Sequence, residues 1–181
     1  MQPVASLPAE LLLRAQGVRV LLLDVDGVMT DGGLHYGPEG EVLKRFHVQD
    51  GLGLVLLRRC GIVPAVVSGR DGPPLQARLR ELGIEQARCG VADKLAAAQS
   101  ILTPLGLDWT DAAAMGDDWP DLPLLRRCAF SAAPADAHVE VRAAVHHVTP
   151  RAGGHGAVRD LCDLLMMAAG AYAGQLRGAA S

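Results

Sequence analysis

An apolar run over residues 18–23 ends abruptly in Asp24 and Asp26, two carboxylates spaced i, i+2, followed by Gly27. Broken only by Arg19, this run reads as a buried strand of a parallel sheet. In open α/β sheets, ligands bind just beyond the carboxyl ends of the strands. Two acids placed there repel each other unless a cation or a proton intervenes. One of them could attack a phosphorus and hold a metal while the other moves a proton. A polar turn capping the next element uses the same residue types, so the rest of the chain has to separate the two possibilities.

At 181 residues, 50% hydrophobic and 20% charged, the chain is long enough for one globular domain with a real core. The net charge is -3, aromatics make up 3%, and no run is rich in lysine or arginine. That excludes a basic surface with stacking aromatics, and with it ordinary nucleic-acid binding. Cys60, Cys89, Cys128 and Cys162 are widely spaced, without a CxxC or a Cys/His cluster. They read as buried reduced thiols of a cytoplasmic protein rather than a zinc site or disulfides. The first residues lack a basic n-region and a long apolar stretch, so no signal peptide is expected. No segment approaches the ~18 apolar residues of a membrane span. The expectation is a single cytoplasmic domain over residues 1–181 with a mobile tail from about residue 170.

Short apolar strands alternate with helical patterns along the chain, which predicts an α/β fold: a Rossmann-like parallel sheet flanked by helices. Strands are expected at 18–23, 62–67, 86–88, 112–115 and 129–130, with a possible edge strand at 145–148. Helices are expected at 8–15, 51–59, 73–82, 94–105, 122–127, 137–143 and 157–168, with Asp50 capping the second of these. Segments 34–36 and 42–47 flank Gly37-Pro38-Glu39-Gly40, a good hairpin signal. This insert after strand one, about residues 33–47, is too short to be a cap domain. Three strands end in polar residues: Asp24, then Ser68-Gly69-Arg70, then Gly116-Asp117-Asp118. In a parallel sheet these ends share one edge and converge on one crevice.

Asp24, Asp26 and Asp117 supply hard oxygen ligands, which suit Mg²⁺. Zinc would favour nitrogen or sulfur. Ser68, the backbone around Gly69, and Lys94 could hold phosphate oxygens. A lysine at a helix start is slightly unfavourable for the helix dipole. Solvated surface lysines are common, yet that mismatch fits a lysine needed in the site. Gly51-Leu-Gly53 is too short for a dinucleotide fingerprint. His146-His147 are adjacent, so they do not share one helix face, and His155 lies between glycines in an expected loop.

The segments DVDGVMTDG, VVSGR, Lys94 and GDDWPD, in that order, resemble the four motifs of the haloacid dehalogenase-like phosphatase superfamily. LHYGPEGEVLKRFHVQDGLG, SGRDGPPLQARLRELGI and GGHGAVRDLCDLL resemble the small capless branch typified by 3-deoxy-D-manno-octulosonate 8-phosphate phosphatase. The resemblance implies that Asp24 is the nucleophile and a magnesium ligand. It implies that Asp26 is the acid/base and touches the substrate, with its main-chain carbonyl on the metal. Asp117 would be the third protein ligand, with Asp118 and Asp121 behind it. Ser68 and Lys94 would bind the phosphoryl group. His47, Val48, Gln49, Asp50, Gly51, Arg70 and Arg78 would line the substrate pocket, the two arginines being candidates for the substrate carboxylate. The implied substrate is 3-deoxy-D-manno-octulosonate 8-phosphate, in lipopolysaccharide precursor synthesis. The implied assembly is a homotetramer, in which hairpins associate and a neighbour covers the site; Leu34, Tyr36, Val42, Leu43 and Phe46 suit such an interface. Three alternatives stand beside this: a phosphatase for a nine-carbon acidic sugar 9-phosphate, a receiver domain phosphorylated on aspartate, and a catalytically silent interaction domain of the same fold.

Overall fold

The computed structural model describes residue 4 and residues 6–179. Its core is a parallel sheet of six strands: β1 (Val20–Leu23), β4 (Val63–Val67), β5 (Gln86–Arg88), β6 (Ala112–Met115), β7 (Phe130–Ala133) and β8 (His147–Val148). The spatial order is β5-β4-β1-β6-β7-β8, with every pairing parallel. A separate antiparallel hairpin, β2 (His35–Gly37) with β3 (Gly40–Leu43), follows β1.

Every residue of β1 is buried, because both faces of the sheet are covered. Leu21 and Leu23 face a layer built from α2 (Val48–Arg59), α3 (Pro73–Leu82) and α7 (Ala157–Ala168), through Leu54, Leu57, Leu75, Leu79 and Leu161. Val20 and Leu22 face the opposite layer of α4 (Lys94–Leu105), α5 (Leu122–Arg127) and α6 (Val139–Ala144), through Ala98, Ile101, Leu125 and Val141. Each leucine buried this way contributes about 1.5–3 kcal/mol relative to exposure. A short α1 (Ala9–Arg14) precedes β1. The strand order steps outward from β1 to β5, then reverses to β6 on the other side of β1. A crevice opens at the carboxyl ends of the strands where such a reversal occurs. The register fixes its edges: Leu23 pairs with Val66 and with Met115, so the segments after β1, β4 and β6 leave the sheet together.

The expected bounds of α3, α4, β5, β6, α5 and α7 match those observed. Left-handed glycines stop α3 and α4, Gly83 at φ 62° and Gly106 at φ 64°. Other elements differ. α2 begins at Val48, with Asp50 inside its first turn and no side chain capping its start. The Asp50 carboxylate instead accepts from the Arg159 amide at 2.8 Å, in the first turn of α7. It is a cap for a helix remote in sequence, which local pattern cannot reveal. β3 ends at Leu43, and β7 runs on to Ala133 because Ser131-Ala132-Ala133 is fully buried beside β6. The stretch expected as a mobile tail carries another helix, α8 (Tyr172–Gly178). Its Tyr172 packs on the core and its Gln175 amide donates to Cys60 Sγ at 3.3 Å. Ala180 and Ser181 lie outside the described residues.

The loop before α7 presses directly on the loop after β1. The Gly154 amide donates to the Val28 carbonyl at 3.0 Å. A Cβ on Gly153 would lie 1.8 Å from the Gly27 carbonyl oxygen, so only glycine allows this approach. The Asp50 contact supports the same region from α2. Asp50→Ala should therefore lower stability by about 2 kcal/mol in urea unfolding, the upper end for a lost cap, because the α7 amides stay buried without their acceptor.

Candidate active site

At the crevice, Asp24, Asp26, Ser68, Arg70, Lys94 and Asp117 line a cavity of about 430 Å³, together with Asp118 and Asp121. A cavity of similar size, about 400 Å³, lies beside α1 at Leu11, Arg14 and His146, but among the described residues Glu10 is the only acid lining it. Convergent charge thus favours the crevice over it.

Asp24, Asp117 and Asp121 each place a carboxylate oxygen within 4.8 Å of the others. Lys94 Nζ sits between two of them, donating to Asp24 Oδ1 and Asp121 Oδ1, each at 2.7 Å. The second oxygen of Asp121 accepts from the amides of Asp117 (3.1 Å) and Asp118 (3.3 Å). Both Asp121 oxygens are thereby committed to holding Lys94 and the loop after β6. Asp24 and Asp117 remain the side chains best placed to share a cation. Their electrostatics agree. Burial, then the Asp121 charge, raises the Asp24 carboxyl against the pull of Lys94. Burial, Asp24 and Asp121 push Asp117 up to about 8. A bound divalent cation would offset both shifts by favouring the ionised carboxylates.

Asp26 faces the same cavity from a different support. Its Oδ1 is paired with Lys44, and its Oδ2 lies 3.7 Å from Arg70 Nε. Lys44 also reaches Glu41 Oε1 at 2.8 Å, and Arg70 bonds Tyr36 Oη at 3.1 Å. Burial works against the Lys44 charge, but its bonds to Asp26 and Glu41 outweigh that and hold it above the ordinary lysine range. Sequence reasoning gave Glu41 and Lys44 no role. Their only signal is a Glu-x-x-Lys pair inside an apolar hairpin, which has no visible partner until the hairpin folds back. Ser68 is buried, and its Oγ accepts from the Arg70 amide at 3.1 Å, shaping the turn after β4. Asp118 caps the turn at Trp119, accepting from its amide at 2.8 Å.

The remaining expected pocket residues form a separate cluster at the start of α2 and do not line this cavity within one chain. Arg78 donates to the His47 carbonyl at 3.3 Å, pairs with Glu81 at 2.8 Å and lies 5.7 Å over the Phe46 ring. Gly51 lies against it, with no room for a Cβ beside the guanidinium. Gln49 accepts from Arg151 at 2.7 Å, Asp50 faces α7, and Val48 is 82% exposed.

Residues 90–160 match the family of haloacid dehalogenase-like hydrolases. The 3-deoxy-D-manno-octulosonate 8-phosphate phosphatase of Haemophilus influenzae is 41% identical over 157 residues, 87% of each chain. The chain belongs to the family of these phosphatases. Solved structures of the family share the fold. The cobalt-bound Haemophilus influenzae enzyme aligns with a TM-score of 0.86, covering 88% of this chain and 93% of its own. The Moraxella catarrhalis phosphatase, solved with magnesium, phosphate and the sugar acid KDO, is 35% identical. It aligns at 0.90 over 93% of this chain and 97% of its own. Asp24, Asp26, Ser68, Lys94 and Asp117, the residues expected from the sequence motifs, all line the cavity.

The raised carboxyl of Asp117 gives a pH test. A carboxyl raised on folding is neutral in the fold at pH values where the unfolded chain has already ionised it. It therefore costs nothing below about pH 4, and the cost grows until its folded value near 8. In metal-free protein, Asp117→Asn should stabilise the fold relative to wild type, by an amount that increases from pH 5 to pH 8. Paired thermal melts in a chelating buffer measure it, and an excess of divalent cation should reverse the order at pH 8 by binding the wild type alone.

Proposed function

We propose that this chain is a magnesium-dependent phosphomonoesterase. It hydrolyses 3-deoxy-D-manno-octulosonate 8-phosphate to the free sugar acid and phosphate, in lipopolysaccharide precursor synthesis. The observation that carries the proposal is the convergence of Asp24, Asp26, Lys94 and Asp117 on one cavity at the strand ends. It is joined to 41% identity with a phosphatase of that substrate. The Asp24 carboxylate attacks the phosphorus in line, while Asp26 gives its proton to the departing sugar oxygen. Asp26 then takes a proton from water, which hydrolyses the aspartyl-phosphate. Lys94 and Ser68 hold the phosphoryl oxygens. Arg70, half-exposed beside Asp26, supplies a cation for the substrate carboxylate. Asp24, Asp117 and the main-chain carbonyl of Asp26 would hold the magnesium ion, which when bound neutralises charge on the transferred group. The setting is the cytoplasm, a reading that four free cysteines support. Among the described residues, no helix is long and apolar enough to cross a membrane.

The working unit is a homotetramer in which a neighbour walls each site. Two observations support this. The hairpin exposes Tyr36, Val42 and Leu43 at 64%, 59% and 52%, a large apolar face for a short element. The cluster of His47 to Gly51 with Arg78 lies outside its own chain's cavity, as expected if it serves a neighbour.

Phosphate release with Mg²⁺, measured across eight-carbon and nine-carbon acidic sugar phosphates and hexose phosphates, tests the function. The 8-phosphate of 3-deoxy-D-manno-octulosonate should give the highest kcat/KM. Asp24→Asn should lower its turnover by about 10³-fold or more with an unchanged circular dichroism spectrum. Val42→Asp should split the oligomer, since an unpaired charge at an apolar contact is costly. Light scattering should show the smaller species. Its hydrolysis of a small aryl phosphate should persist while its preference for the acidic sugar phosphate is lost.

A further inference from the structure

The chain has two lysines and fifteen arginines. Surface cations are therefore arginines almost without exception, and a lysine in this protein is unusual wherever it stands. Both lysines are enclosed at the active site, and each holds a different acid of the Asp24-Val25-Asp26 pair. Lys94 holds Asp24. Lys44 holds Asp26, and its side chain has no exposed surface.

A lysine head is a compact charge with three donors, which can be enclosed between acids where the broad guanidinium fork would not fit. Lys44 is enclosed between Asp26 and Glu41. Turning Asp26 away would leave this buried ammonium with Glu41 as its remaining carboxylate and a donor unsatisfied, which is unfavourable. Asp26 is therefore not free to rotate away. With Oδ1 fixed on Lys44, Oδ2 is left toward Arg70 and the cavity. The anchor itself comes from the hairpin, which forms no part of the main sheet. A two-stranded hairpin alone is marginal in water. Its ties to the loop after β1 are Lys44 to Asp26 and Arg45 to Asp31, the latter at 3.0 Å.

We propose that Lys44, held in turn by Glu41, is the positioning residue for Asp26. It turns one carboxylate oxygen toward the departing sugar oxygen, so that proton transfer requires a docked hairpin. This rests on the reading of Asp26 as the acid/base. Proton transfer needs the donor within hydrogen-bond reach of the leaving atom, and a loosely held carboxylate spends less time there. The effect falls on leaving groups that need a proton and spares those that do not.

The test compares kcat and KM for the sugar 8-phosphate and for p-nitrophenyl phosphate, using the full chain with Mg²⁺. The variants are Lys44→Met, Glu41→Gln, Asp26→Asn and the double variant Asp26→Asn/Lys44→Met. Lys44→Met should lower kcat on the sugar phosphate by about 10- to 10²-fold, with KM changed by no more than about 3-fold. On the aryl phosphate its kcat should change by no more than about 3-fold. Glu41→Gln should show the same split, smaller. The double variant should be no slower than Asp26→Asn alone, because an acid that is absent cannot be mispositioned. Equal losses on both substrates, or a Lys44→Met loss added in full on top of Asp26→Asn, would overturn the proposal. If Asp26→Asn itself shows no dependence on the leaving group, the acid/base reading fails first. If Asp26→Asn shows it and Lys44→Met does not, the positioning role alone fails. Should Lys44→Met not fold, Glu41→Gln decides by the same comparison, and an unsplit loss there rejects the role.

Discussion

Carboxylates held within 4.8 Å of one another at the ends of β1 and β6 repel, and that repulsion organises the rest of the site. Burial and that repulsion together raise Asp24 and Asp117, and Asp121 is reconciled to it by giving one oxygen to Lys94 and the other to two backbone amides. The cluster has more negative charge than its one ammonium can neutralise. Such a site is stable only with a further cation or with protons on its acids. The same imbalance makes it receptive to a metal and a phosphoryl group together, since each compensates the other. Folding energy is not drawn from these groups. It comes from the two apolar layers on either side of the sheet, which hold the acids together despite their repulsion.

Rigidity at the site comes largely from backbone contacts. The loop after β1 is pinned by the Asp24 amide on the Met115 carbonyl at 3.0 Å and by the Gly153–Gly154 loop on its outer side. Close approach of two backbones leaves no side chain that could shift to loosen the contact. Thr30 adds a side-chain bond, accepting from the Gly32 amide at 3.2 Å. The main-chain carbonyl of Asp26 thus sits in a segment with little freedom, while its carboxylate is held separately by Lys44. One residue has its carbonyl and its carboxylate supported by different parts of the fold.

What was legible in the sequence had local causes. Pro73 and Gly83 bound α3 because each acts on its own φ angle, and β1 could be read from its unbroken apolar run. The polar strand ends could be placed on one edge because parallel strands share a direction. What was hidden depended on contacts between distant segments. Asp50 looked like the cap of the helix beside it, yet its oxygen serves an amide of α7. Gly153 carries no local signal, although the Gly27 carbonyl leaves it no room for a side chain. The resemblance grouped Arg78 and His47 with the pocket, but in the single chain they face each other and Phe46. Lys44 was the largest omission. Its burial cannot be inferred from a hairpin whose neighbouring residues, Leu43 and Arg45, are exposed.

On the proposed reading of Asp26, the hairpin explains how a fold without a cap can still control its acid. A cap domain would exclude water by closing over the cavity. Here residues 34–46 are too few to close over anything, yet they reach the site from the side. The inner surface of the hairpin carries Glu41 and Lys44, against Arg70 and Asp26. Its outer surface carries Val42 and Leu43, exposed and apolar. The two surfaces are carried by the same four residues, 41–44, so they move together. A contact that steadies the outer face therefore steadies the charged inner face as well. Association of chains through this hairpin would then do more than wall off the cavity. It would hold Lys44 against Asp26, and so tie the geometry of proton transfer to the state of assembly.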